Sequence, residues 1–138
     1  MNINSKLITS LGTNDNKISN YNLNALPDTE GTLSNIEDLS KFAITQLDSK
    51  NKELELTRQT TFEIPKYNIG VGLAWKIIKP DSKHTWYMYN VGNEGYYSII
   101  ALDILNKNRT IILSNISAFN KNARNINQLC LELMKPQY

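Results

Sequence analysis

Between residues 67 and 116, four runs rich in β-branched and aromatic residues follow one another: "IGVGLAWKII", "HTWYMYN", "YYSIIALDIL" and "RTIILSN". The links between them are built from turn formers, Pro80-Asp81-Ser82-Lys83 and Asn106-Lys107-Asn108 among them. Links this short cannot carry the chain back across a sheet, so consecutive runs must pair antiparallel, as a meander. The third run is apolar almost throughout (Ile99, Ile100, Ala101, Leu102, Ile104, Leu105), the pattern of a strand covered on both faces.

The cover has to come from helices. "NKNARNINQLCLELMK" places Ala123, Ile126, Leu129, Cys130, Leu133 and Met134 on one side, so it is predicted to lie across the sheet. Upstream, "SNIEDLSKFAITQLD" reads as the clearest helix, with Ser34 and Glu37 in capping-box spacing. Glu37 stands four residues before Lys41, and Ile36, Leu39, Phe42, Ala43 and Leu47 fall on one stripe. A weaker helix is predicted from about Glu53 to Thr61, ended by Pro65. The expected fold class is α+β: an antiparallel β-meander of three to four strands packed against a C-terminal helix, preceded by one or two helices and an irregular N-terminal segment. By number, 1–31 is the irregular segment, 32–64 helical, 67–116 antiparallel strands and 120–135 the last helix, within a single partial domain.

Composition narrows the function classes. With 138 residues and a net charge of +2 from scattered charges, no basic stripe points to nucleic acid. No apolar run is long enough to span a bilayer, and "MNINSKLITSLG" has no stretch of signal-peptide length. A single cysteine, Cys130, and a single histidine, His84, leave no intrachain disulfide and no Cys/His metal cluster to expect. Cys130 falls on the buried stripe of the last helix and reads as a small core residue. His84 opens a strand after a polar turn and reads as an exposed or edge residue. Ser49-Lys50-Asn51-Lys52 has the Ser-x-x-Lys spacing of serine acyl-transfer enzymes, but nothing apolar surrounds it to dehydrate the lysine, so it is read as a chance match.

"YNVGNEGY" is the segment with most chemical content. Gly92 and Gly95 would let backbone amides approach a ligand, and Asn93 and Glu94 offer polar groups between them. A bulged hairpin turn explains the same spacing.

Taken together, the segments resemble the C-terminal half of the serine β-lactamase-like family, which includes class C β-lactamases, DD-peptidases (penicillin-binding proteins) and related esterases. "EGTLSNIEDLSKFAITQL" is similar to that family's Gly-Gly-Leu-x-Ser-Thr-x-x-Asp-Leu-x-Lys-Phe segment. "YNIGVGLAW" is similar to its Tyr-Gly-Leu-Gly-Trp strand entry, "ITSLGTND" to its Leu-Gly-Met segment, and "YNVGNEGYYSIIALDILNKNRTIILSN" to its His-x-Gly-x-Asn-Glu-Gly-Phe motif with the hairpin that follows. The resemblance implies that Tyr89, Asn90 and Val91 occupy the place of the family's third active-site triplet. It also implies that Gly92 supplies an oxyanion-hole amide and Asn93 lies beside it, all as substrate-binding positions.

The family's Ser-x-x-Lys and Tyr-x-Asn motifs would lie upstream of this chain. The resemblance therefore implies the C-terminal part of a serine hydrolase, with no catalytic residue of its own, no cofactor and no metal. It would take a small-molecule or peptide substrate only if completed by upstream residues. Members of that family are often extracytoplasmic, whereas the chain carries no visible address. Two other readings stand beside it: a non-catalytic module that kept the sheet-and-helix layer for binding or complementation, and an unrelated small α+β domain whose glycines only make a turn. A sheet stripped of its usual neighbours would leave an uncovered edge open to self-association, so the isolated chain is expected to be marginally stable or oligomeric.

Overall fold

The computed structural model describes residues 7–19, 33–48 and 50–136. Its centre is the hairpin of β6 (Trp86–Gly92) and β7 (Tyr97–Asp103), followed by β8 (Asn108–Ser114). These belong to a sheet of six antiparallel strands, β3 (Phe62–Ile64), β4 (Ile69–Val71), β5 (Lys76–Ile78), β6, β7 and β8 in that order, each beside its neighbour in the chain. The meander holds, and it is longer than the three to four strands expected. "IGVGLAWKII" is two strands, β4 (Ile69–Val71) and β5 (Lys76–Ile78), because the chain reverses where Gly72 N donates to the Trp75 carbonyl. A Cβ on Gly72 would lie 2.7 Å from the Thr57 carbonyl oxygen, so only glycine fits this turn. Ahead of them, β3 (Phe62–Ile64) occupies residues assigned from sequence to the tail of the helical segment.

Side chains alternate between two apolar layers. Trp86, Met88, Ile99 and Ala101 point to one face, where Cys130 and Met134 of α3 (Ala123–Met134) close the core. Ile77, Leu102 and Trp75 point to the other, against Ala43 of α1 (Ile36–Gln46). β7 is thus covered on both faces, as its continuous apolar run requires. On α3 the buried set is Ala123, Cys130 and Met134, with Ile126 and Leu131 packed beside them. Leu129 and Leu133, assigned from sequence to the buried side, are instead 51% and 46% exposed.

The caps also differ in detail. α1 starts one residue later than the capping box suggests: Asn35 Oδ1 accepts from Asp38 N at 2.9 Å. The Lys41–Glu37 pair forms at 2.9 Å, and it raises the lysine's pKa. The weaker helix, α2 (Lys52–Thr57), is shorter than predicted and is capped by Asn51, whose side chain accepts from Leu54 N. Within the segment read as irregular, β1 (Ser10–Leu11) and β2 (Lys17–Ile18) form a small hairpin. Leu11 then continues the edge of β8 through hydrogen bonds with Asn115 and Ser117. Residues 1–6 and 20–31, and Ser49 of the Ser-x-x-Lys match, lie outside the described residues.

Candidate binding site

The β6–β7 turn is held by one side chain. Asn93 N donates to the Tyr96 carbonyl, and Asn93 Oδ1 accepts from both Gly95 N and Tyr96 N at 3.0 and 2.9 Å. An asparagine that folds back on its own backbone in this way makes an Asx turn. Its carboxamide oxygen is therefore engaged in the turn. Neither glycine needs a left-handed conformation. Both are required by close approach: a Cβ on Gly92 would meet Tyr97 Cδ2 at 2.5 Å and Ala118 Cβ at 2.6 Å, and one on Gly95 would meet Ser10 Cβ at 2.6 Å. The space the sequence reading reserved for a ligand above Gly95 is filled by the β1–β2 hairpin. Ser10 is buried there, and its hydroxyl donates to the Ile18 carbonyl.

The strand alternation divides the remaining candidates. Asn90 lies on the α3 face, where its Nδ2 donates to Tyr97 Oη at 2.9 Å and Tyr97 Oη donates to Asn127 Oδ1 at 2.8 Å. Tyr89 and Val91 lie on the opposite face, 52% and 43% exposed, in register with Ile100 and Ser98 of β7. Leu113, opposite Ser98 on β8, adds a third half-exposed apolar side chain to that patch.

What unites Tyr89 to Gly92 is the backbone. β5 pairs with β6 only from Trp86 to Met88, so β6 outruns its neighbour by four residues. Because Asn93 N–H faces β7, alternation sends Val91 and Tyr89 toward β7 as well. The N–H and C=O of Asn90 and Gly92 then face outward, along the line where β5 has ended. Among the described residues nothing pairs with them there. Sequence reasoning missed this open edge because it depends on where β5 stops, a property of another strand.

The lone histidine, read from sequence as an exposed or edge residue, is partly buried just ahead of β6. His84 keeps 15% of its side chain accessible, with Nδ1 2.8 Å from the Asp81 carboxylate. Hydrogen bonds from His84 and from the Lys83 amide hold the Asp81 carboxyl below its usual pKa. Cys130 is a core residue as predicted, fully buried, and burial pushes its thiol up to about 11. No group of three His, Cys, Asp or Glu side chains able to hold a metal occurs among the described residues. None of the described helices is long and apolar enough to cross a membrane.

A family model described as the TM7SF3-like, N-terminal immunoglobulin-like domain matches residues 9–102, about two thirds of the chain. The chain belongs to the TM7SF3-like family. This membership overturns the resemblance to serine β-lactamases, DD-peptidases and esterases, and with it the reading of the chain as part of a serine hydrolase. The pieces that carried the resemblance have local explanations here: a capped helix, a strand that reverses on Gly72, and an Asx turn flanked by glycines that pack tightly. The match runs from the β1–β2 hairpin to Leu102 in β7 and leaves β8 and α3 beyond it. In this chain the strands β3 to β8 form one sheet flanked by α1 and α3. No curated protein and no solved structure gives a significant match.

Proposed function

We propose that this TM7SF3-like domain is a recognition module that takes up an extended polypeptide segment on the open edge of β6. The observation that carries the reading is the stretch Tyr89–Gly92, which pairs with β7 on one side and, beyond the end of β5, with no described residue on the other. A peptide laid antiparallel there would exchange main-chain hydrogen bonds with Asn90 and Gly92. Tyr89 and Val91 would give it an apolar contact on one face. The edge carries no lysine or proline to repel a strand, the usual protection of free edges.

The test is panning of a random linear heptapeptide library on the purified domain, followed by amide chemical-shift mapping with the selected peptides. The expected shifts centre on Asn90 and Gly92, and Asn90→Pro, which deletes an outward N–H without touching the β7 ladder, weakens binding at least tenfold. Shifts centred elsewhere on the wild-type domain, or full affinity in a folded Asn90→Pro variant, would overturn the reading.

A second reading, self-association, is favoured by the other side of the sheet. The bonds that Asn115 and Ser117 make to Leu11 fix the outward parity of β8, so Arg109, Ile111 and Leu113 turn outward backbone groups that no described residue pairs with. The half-exposed Leu129 and Leu133 lie on the flank of α3 away from Asn127 and Leu131. Two copies pairing antiparallel about Ile111 would set Arg109 against Leu113 and avoid like-charge contact. Sedimentation equilibrium from micromolar to millimolar concentration tests this. A dimer abolished by Leu129→Glu with Leu133→Glu supports it, and a monomer throughout rejects it.

A further inference from the structure

Arg58, the residue that ends α2, is 7% exposed, yet no carboxylate forms an ion pair with it among the described residues. Its Nη1 donates to the Gln46 carbonyl at 3.1 Å and to Gln46 Oε1 at 2.9 Å. The guanidinium carbon stands 5.9 Å from the centre of the Tyr87 ring, an arrangement that compensates part of the buried charge. Among the described residues Nε and Nη2 make no hydrogen bond, and neither is sealed from solvent. Arg58 belongs to the wall of an open cleft of about 370 Å³, lined by Lys52, Glu55, Arg58, Gln59, Tyr87 and Ile104. Because both donors keep access to solvent, an anion in the cleft could take them in exchange for water, and a charge already largely buried would gain an ionic partner.

The lining narrows which anion fits. Lys52 is already bound to Glu55 at 2.8 Å, so the pair adds little net charge and Arg58 supplies the one unbalanced positive charge. The Glu55 carboxyl is held below its usual pKa, first by the hydrogen bond from Lys52, so it stays ionised and would repel a dianion. Nε and Nη2 present two parallel N–H groups, the geometry that matches the two oxygens of a carboxylate. Tyr87 and Ile104 add apolar surface beside them. We propose that this cleft binds a carboxylate monoanion, clamped by Arg58 Nε and Nη2 with its hydrocarbon body against Tyr87 and Ile104. The site lies on the α1 face, at the end of β6 away from its open edge, and does not depend on the peptide-binding reading.

The experiment is an NMR titration of the wild-type domain with benzoate, following the Arg58 Nε–H resonance and the Tyr87 ring. Benzyl alcohol and inorganic phosphate serve as uncharged and polyanionic comparisons. Saturable benzoate shifts at both residues are expected, with affinity at least tenfold above either comparison. Affinity should fall at least tenfold in Arg58→Lys, which keeps the charge and loses the fork. Peptides ending in a free carboxylate or in an amide then distinguish a small acid from a chain terminus as its source. Absence of a shift at Arg58 in the wild-type chain overturns the proposal without reliance on any variant. So does equal binding of benzyl alcohol or phosphate, or undiminished binding by a folded Arg58→Lys.

Discussion

Replacing Gly92 by alanine separates the two meanings a glycine can have at this turn. No glycine among the described residues has a positive φ, so alanine incurs no backbone strain. By restricting the unfolded chain it would, in open space, stabilise the fold by about 0.4–1 kcal/mol. The space is not open. The new methyl would stand 2.5 Å from Tyr97 Cδ2 and 2.6 Å from Ala118 Cβ, against a comfortable carbon–carbon separation of roughly 3.5–4.0 Å. Neither neighbour can yield cheaply: Tyr97 is tied through its hydroxyl to Asn90 and Asn127, and Ala118 N donates to the Asn93 carbonyl at 2.8 Å. Overpacking of this kind costs about 1–3 kcal/mol, more than the entropic gain, so Gly92→Ala should be net destabilising. The assay is urea unfolding, with Glu94→Ala at the exposed tip as a control that should stay within about 0.5 kcal/mol of wild type. A lower midpoint for Gly92→Ala at unchanged slope is expected. An equal or higher midpoint would show that the glycine is not there for packing and would return the turn to the ligand-approach reading.

Cys130 should impose an alkaline limit on stability. Its folded thiol titrates near 11 against an ordinary value of 9.0, so the protonated form is favoured in the core. That contribution is complete below about 9 and is lost as pH rises through 11, a slope that Cys130→Ala should remove from a pH series of urea midpoints. The same thiol should resist thiol-directed reagents at pH 8 unless the domain is unfolded. Asn120→Ala should destabilise by about 1–3 kcal/mol in the same assay, because the 4% exposed Asn120 donates to Asp15 Oδ1 at 2.7 Å and to the Thr13 carbonyl at 3.2 Å, holding the β1–β2 hairpin against the sheet.

What could be read from the residues was what single segments decide for themselves. The uninterrupted apolar run of β7 announced a strand with two covered faces, and the helical stripe around Cys130 announced its cover. What escaped was set between segments. The split of "IGVGLAWKII" depends on Gly72 meeting the Thr57 carbonyl, and β3 is a strand because Glu63 finds Gly70 across from it. Leu129 and Leu133 fit a helical stripe on paper, yet the sheet is too narrow to reach them: β8 is its last strand, and no described residue lies beyond to bury that flank.

The failed resemblance has the same origin. A capping pattern followed by Asp-Leu-x-Lys-Phe, a glycine-marked strand reversal and an Asn-Glu-Gly turn are solutions to local problems of helix initiation and chain reversal. Any sheet-and-helix domain can meet those problems with the same residues, so their order along the chain carries less information about chemistry than it first suggests. A site is tested by what converges in space. Here Asn90, Val91 and Tyr89 diverge to opposite faces of one strand, Asn93 is engaged in its own turn, and Gly92 is packed under Tyr97 and Ala118. Their shared property is the outward backbone of β6, which no side-chain motif encodes. Arg58 makes the complementary case: nothing in "ELELTRQTT" marks it, and only the fold reveals a buried arginine that lines a cleft and is paired with no carboxylate among the described residues.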